Sequence, residues 1–180
     1  MTYYGGKELA ASFRTVRKNT IQIAEDIPED RYGFRASPES RTVAQTLVHI
    51  AFMPEFAHHI HGNRIDDMTK VDFPRLAQQF GSEESKPRSK AEIIALLRSH
   101  GDKFAAYLEG LPESFLAECV AMHPGSEPAT RTRFEMLLSS KEHEMHHRAQ
   151  LMVIERMVGV VPHLTRQRQE QMARAQSAPK

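Results

Sequence analysis

The chain has a single cysteine, Cys119, among its 180 residues. No disulfide can close within it and no cysteine-rich zinc site can form, which suits a reducing compartment. Excess charge of one sign is missing as well: 24 Lys and Arg stand against 23 Asp and Glu, a formal net of +1. A balance that close leaves no electrostatic footprint for nucleic acid or for an anionic membrane. No stretch approaches the ~20 apolar residues of a membrane span. The first residues have neither the basic start nor the apolar run of a signal peptide. Together these absences predict a cytoplasmic protein with no nucleic-acid and no membrane partner. Alternating apolar and polar positions are scarce too, which removes most β architectures. A chain of 180 residues has room for one domain with a substantial core, and too little for two.

What the chain does have is helical periodicity. Leu9, Phe13, Val16, Thr20, Ile23 and Ile27 recur at spacings of three and four and predict a first helix over 7–26, stopped by Pro28. Residues 28–40 read as a loop tacked down by Tyr32, Phe34 and Pro38. A second helix should open near 40–42 and run to His61, ended by Gly62 and Asn63. Val43, Leu47, Ile50, Met53, Ala57 and Ile60 form its stripe, and Pro54 predicts a kink. Residues 63–88 make a long polar connection with capacity for a short helix over 73–80; a connection of that length covers or binds something. Ser89 and Glu92 spell a capping box for a third helix carrying Ile93, Ile94, Leu97, Phe104 and Leu108. A second irregular segment, 112–130, in which Cys119 reads as a small buried residue, leads to a fourth helix from about 130–132 to 158. Four amphipathic helices give an all-α fold, a four-helix bundle over residues 1–162. Residues 163–180 follow as a polar, basic tail able to form a loosely held helix with solvated charges.

Histidine is the compositional anomaly, with ten in the chain. His143-Glu-Met-His-His147 puts three of them in five positions of the fourth helix. At about 100° per residue, Met136, Ser140, His143, His147, Leu151, Ile154 and Val158 share the inward stripe, while Lys141, Glu144, Arg148, Glu155 and Arg156 fall opposite. Two unpaired imidazoles on a buried face are costly, and a metal accepting both nitrogens at about 2.0–2.1 Å removes the cost. The competing reading is two separately satisfied core histidines, or a surface patch. A divalent ion needs a third protein ligand, and His49 lies at the edge of the second helix's stripe beside Thr46, Met53 and Phe56. Taken alone, His49 would read as a core histidine. His146 is the alternative partner at i,i+3. His58, His59 and His61 read as a solvated helix end, and His100, His123 and His163 show no pattern.

Two short motifs compete. His143-Glu-Met-His-His147 satisfies the zinc-protease pattern H-E-x-x-H, but no strand-rich half is there to bind a peptide. Glu55-x-x-His58 and Glu144-x-x-His147 match the spacing of di-iron carboxylate proteins. Glu55, His58 and Glu144 lie off the inward stripes, however, and inward carboxylates are missing from the first and third helices.

The segments Thr42-Val-Ala-Gln-Thr-Leu-Val-His49-Ile and His143-Glu-Met-His-His147-Arg-Ala-Gln-Leu151, with the lead-in Tyr32-Gly-Phe34-Arg-Ala-Ser-Pro38, resemble the DinB-like (DinB/YfiT-like) superfamily of metalloenzymes. The resemblance spans about residues 8 to 160, with its specificity in the histidine segments. It implies a mirror variant of the up-and-down four-helix bundle, one divalent metal held by His49, His143 and His147, and a homodimer. The family usually has glycine where this chain has Ala149. Relatives include isomerases and S-transferases that use low-molecular-weight thiols such as mycothiol or bacillithiol. The functional expectation is a metal-dependent enzyme acting on a small molecule, with zinc or nickel activating a thiol for S-transfer or a water for hydrolysis. Glu144 is the nearest candidate for an acid/base or supporting role. The alternative is a non-catalytic bundle stabilised by metal, or a ligand-binding or dimerisation module.

Overall fold

The computed structural model describes residues 4–177. Helices dominate: α1 (Gly6–Asp26), α2 (Val43–Gly62), α3 (Phe73–Glu84), α4 (Lys90–Glu109), the short α5 (Glu113–Leu116), α6 (Arg133–Met157) and α7 (His163–Ser177). Two three-residue strands, β1 (Cys119–Ala121) and β2 (Thr130–Thr132), pair antiparallel between α5 and α6.

Three of the four bundle helices begin where the sequence supplies reciprocal caps. Thr42 Oγ1 accepts from the Gln45 amide at 3.1 Å while the Gln45 side chain accepts from the Thr42 amide at 3.0 Å. Ser89 with Glu92, and Thr132 with Glu135, repeat the arrangement for α4 and α6. Each box satisfies two amide donors that a helix start would otherwise leave orphaned.

α1 packs on α4 and α6, and α2 packs on the same two helices. α1 and α2 therefore take opposite corners, so the first connection crosses the end of the bundle. In a simple up-and-down bundle consecutive helices would be neighbours. One apolar cluster joins Ile23, Leu47, Ile50, Leu97 and Leu151 from all four bundle helices. A second gathers Phe13, Ala57, Phe104, Leu108 and Leu137 from the same four.

Between these clusters lies a buried polar layer centred on Arg17, which is 4% exposed. Its Nε and Nη2 donate to the Glu144 carboxylate at 2.9–3.1 Å, Nη1 donates to Leu97 O at 2.7 Å, and Nη2 also reaches Ile50 O at 3.1 Å. Local sequence makes room for each contact. Pro54 has no N–H, so Ile50 O lacks its usual i+4 donor and accepts from the guanidinium instead. On α4, a Cβ at Gly101 would sit 2.8 Å from Arg17 Cγ. Glycine there is what lets the arginine lie across the helix.

The two long connections form a second layer over α2. A third apolar cluster joins Ile60 to Met68, Val71 and Leu76 of the first connection and Val120 of β1. The backbone links them too, with the Ala121 amide donating to Asp66 O at 2.8 Å.

Several sequence expectations change. Glu144 and Glu155 belong to the interior, not to the outer face of α6. α6 is held by both α1 and α2, so its buried arc is wider than its apolar stripe, and Glu144 is admitted because Arg17 pairs with it. Cys119 is exposed, since β1 turns its middle residue, Val120, inward. His61 is 2% exposed instead of solvated. It packs beside buried Arg133, whose Nη1 lies 3.3 Å from His61 Nδ1, and burial with that neighbouring cation holds the imidazole down at about 4. The first turns of α7 are docked: Arg166 donates to Asp26 at 2.6 Å and His163 Nε2 lies 3.2 Å from Asn19 Oδ1.

Two stability tests follow from the buried carboxylates. Glu144→Ala leaves a guanidinium in the core without its counter-charge and should cost about 3–5 kcal/mol. Urea denaturation in the presence of a chelator measures this, and a loss below about 1 kcal/mol, the range of exposed pairs, would contradict the arrangement. Glu155 differs, because neither carboxylate oxygen has a hydrogen-bond partner among the described residues. Burial, reinforced by nearby Asp26, pushes its carboxyl from 4.5 up to about 7. As pH rises between those values the unfolded chain releases a proton that the folded protein keeps, so stability falls across that window. Glu155→Gln should therefore match wild type in melting temperature below pH 4.5 and exceed it above pH 7.

Candidate metal centre

His49, on the second turn of α2, and His143 and His147, one turn apart on α6, converge in the cleft between those helices. Among the described residues they form the one group of three or more His, Cys, Asp or Glu side chains placed to hold a metal ion. All three rings present Nε2 to a common point. His143 Nε2 lies 3.1 Å from that of His49 and 3.2 Å from that of His147.

The proton inventory shows why imidazoles alone do not satisfy this arrangement. His49 Nδ1 is 2.7 Å from Glu84 Oε1 at the end of α3. A carboxylate only accepts, so Nδ1 carries the proton and Nε2 a lone pair. His147 Nδ1 is 2.8 Å from Gln150 Oε1, and the amide nitrogen of Gln150 faces His146 Nε2 at 3.1 Å. His147 Nε2 therefore also carries a lone pair. His143 Nε2 can donate at most one proton, so at least one of the two facing lone pairs is left without a donor. His143 Nδ1, meanwhile, is buried without a partner among the described residues. A cation at the centre resolves the conflict. Bonds of 2.0–2.1 Å at tetrahedral angles place neighbouring nitrogens about 3.3 Å apart, close to the observed separations. The donor set fits a divalent transition metal.

Electrostatics favour the ligating form. Burial lowers the pKa of all three imidazoles. For His143 the value falls to about 4, with His147 and His49 adding to the effect. In His49 the hydrogen bond to Glu84 works in the opposite direction. Neutral rings are the ones a metal binds.

The structure thus brings His49, the expected third ligand, to the i,i+4 pair His143 and His147. His146 is exposed and turned to Gln150, so it is His147 that joins His143. Glu144 does not face the cleft: both of its oxygens are taken by Arg17, which removes it as the general base that H-E-x-x-H would require. Glu55 stands 3.5 Å from His100, away from the trio, so no di-iron carboxylate set assembles. Sequence reasoning missed the groups behind the ligands. Gln150 was legible in principle, three residues after His147 on the same helix side. Glu84 was not, since it lies 35 residues from His49. Arg41, whose Nε donates to Glu84 Oε2 at 2.7 Å, precedes the α2 cap and carried no local signal.

Comparison with known proteins identifies the family. The DinB superfamily model matches residues 12–151. YjoA, an uncharacterized protein of Bacillus subtilis, is 22% identical over 152 residues, covering 84% of this chain and 90% of its own. The crystal structure of YjoA superposes with a TM-score of 0.62 at 21% identity, over 84% of this chain and 92% of that one. YfiT of the same organism, described as a probable metal-dependent hydrolase with an unusual four-helix bundle topology, gives a TM-score of 0.68 at 15% identity over 89% of this chain and 91% of its own. A DinB-like protein from Bacillus cereus gives 0.66 at 17% identity, over 86% and 93% respectively. With the matched segment spanning most of the bundle and both histidine-bearing helices, the chain belongs to the DinB superfamily.

Proposed function

We propose that this protein is a mononuclear metal-dependent hydrolase of small molecules, with His49, His143 and His147 holding one divalent ion through Nε2. The observation that carries the reading is the meeting of three Nε2 atoms, at least two of them lone pairs, at hydrogen-bond separations. Bound by these three histidines, a divalent ion would supply Lewis acidity and lower the pKa of a water. Likeness to YfiT supports hydrolysis over the thiol chemistry that the same site allows.

The chain's own residues set the geometry. Glu84 and Gln150 accept from the Nδ1 protons of His49 and His147, which fixes both tautomers and turns Nε2 inward. Arg41 holds Glu84 in place from the other side. Cavities border the trio where substrate can approach: one beside His49 under α3, one beside His143 and one beside His147. The bundle's centre is held by apolar clusters and the Arg17 layer, so an ion bound at the histidines would serve chemistry more than folding.

The purified protein should carry about one zinc or nickel per chain. His143→Ala and His147→Ala should lose most of it, and His146→Ala should keep it; elemental analysis decides, and equal metal content in all four proteins would sink the site. Glu84→Gln should weaken metal affinity about 10–100-fold in competition with a chromophoric chelator. Chelation should abolish hydrolysis of activated esters or amides while leaving the helical signal at 25 °C intact. Collapse of the fold on chelation would instead mark the ion as structural.

A further inference from the structure

We infer that the substrate carries an apolar, ring-sized group on one side of the bond that reacts, and that α3 and α2 enclose this group beside His49. The inference rests on the proposed function and adds what the site recognises.

The chamber has a volume of about 290 Å³. Its walls are Phe52, Met53 and Phe56 of α2 with Phe73, Leu76 and Phe80 of α3. Phe56 is the keystone of the aromatic wall, its ring centroid 5.7 Å from that of Phe73 and 6.5 Å from that of Phe80. One end of the chamber is His49, so a group bound there is continuous with the point where the three Nε2 atoms meet.

Size and charge narrow the occupant. An apolar cavity of about 150 Å³ already takes up benzene, so this one has room for a ring and a short linker. The charged side chains at its rim, Arg41 and Glu84, are bound to each other at 2.7 Å, so their opposite charges largely offset one another. Dehydrating a hydroxylated or charged group against phenylalanine and methionine would be unfavourable. The cavity beside His147 is more polar, with Glu39, Ser40, Arg41, Thr46, His146 and Gln150 in its lining beside Ala36 and Ile154. A substrate laid across the histidines would thus have its apolar end under α3 and its polar end toward the start of α2.

Gly81 offers a clean test. It lines the chamber, and a Cβ built there meets nothing within 4 Å, so a larger side chain can enter the space without a backbone clash. Leucine is also the better helix former, which favours a folded variant. The probes are acetohydroxamate and phenylacetohydroxamate, which share a metal-chelating head and differ by one ring, titrated calorimetrically into zinc-loaded protein. Wild type should bind the aryl probe about 10–100-fold more tightly. Gly81→Leu should keep its zinc and its affinity for acetohydroxamate but lose the aryl advantage, and Phe80→Ala, which removes a wall, should reduce that advantage. Equal affinities for the two probes in zinc-loaded wild type would overturn the inference, as would an undiminished preference in Gly81→Leu. Zinc content is measured separately: a chain that takes up no zinc overturns the metal reading and this one with it, whereas a zinc-loaded chain without aryl preference overturns this one alone.

Discussion

A guanidinium at the middle of the bundle decides how the four helices stand relative to one another. Arg17 of α1 donates to backbone carbonyls of α2 and α4 and to Glu144 of α6, and so links all four bundle helices. Burying such a pair brings little or no net stability over a well-packed apolar alternative. Its value lies in direction. Each donor has a designated acceptor, so sliding or rotating any one helix leaves a buried polar group unpaired, a penalty that apolar packing does not impose. The register extends to the histidines. Residues on a helix are about 100° apart, so fixing Glu144 toward α1 directs both position 143 and position 147 to the same side of it, where α2 brings His49. The ion pair never touches the cleft, yet it aims two of the three imidazoles that do.

Support of the three imidazoles is unequal. His49 rests on a carboxylate delivered by α3, His147 on an amide from its own helix, and His143 Nδ1 on no partner among the described residues. A carboxylate makes its histidine the more basic ligand, an amide less so. The His49 side of the cleft is therefore the electron-rich one. It is also the side whose geometry depends on a segment outside the bundle.

Much of this was legible in the chain. The i,i+4 pair His143 and His147 on an apolar stripe, the capping box at Ser89, and the period of α1 are local signals, and locality is what sequence preserves. What escaped is what two distant segments make together. Glu144 and Glu155 sit on α6 at angles that a single-helix projection calls outward, because the projection does not know that α6 is gripped from two sides. Arg17 interrupts an apolar stripe and looks like a surface residue until Pro54 and Gly101 are seen to clear its path. His61 reads as solvated because it closes a helix, whereas buried Arg133 packs beside it. Glu84 and Arg41 needed the path of the 63–88 segment, which no periodicity specifies.

That segment also joins two properties usually treated apart. α3 supplies Glu84 to His49 and, on the same helix, Phe73, Leu76 and Phe80 to the apolar chamber. It packs on α2 and buries a single residue of its own, Leu76. An element held by so little apolar area is the kind that shifts at low energetic cost. Any such shift moves the carboxylate behind His49 and the chamber wall together. The orientation of His49 and one wall of the apolar chamber are thus both set by a single helix.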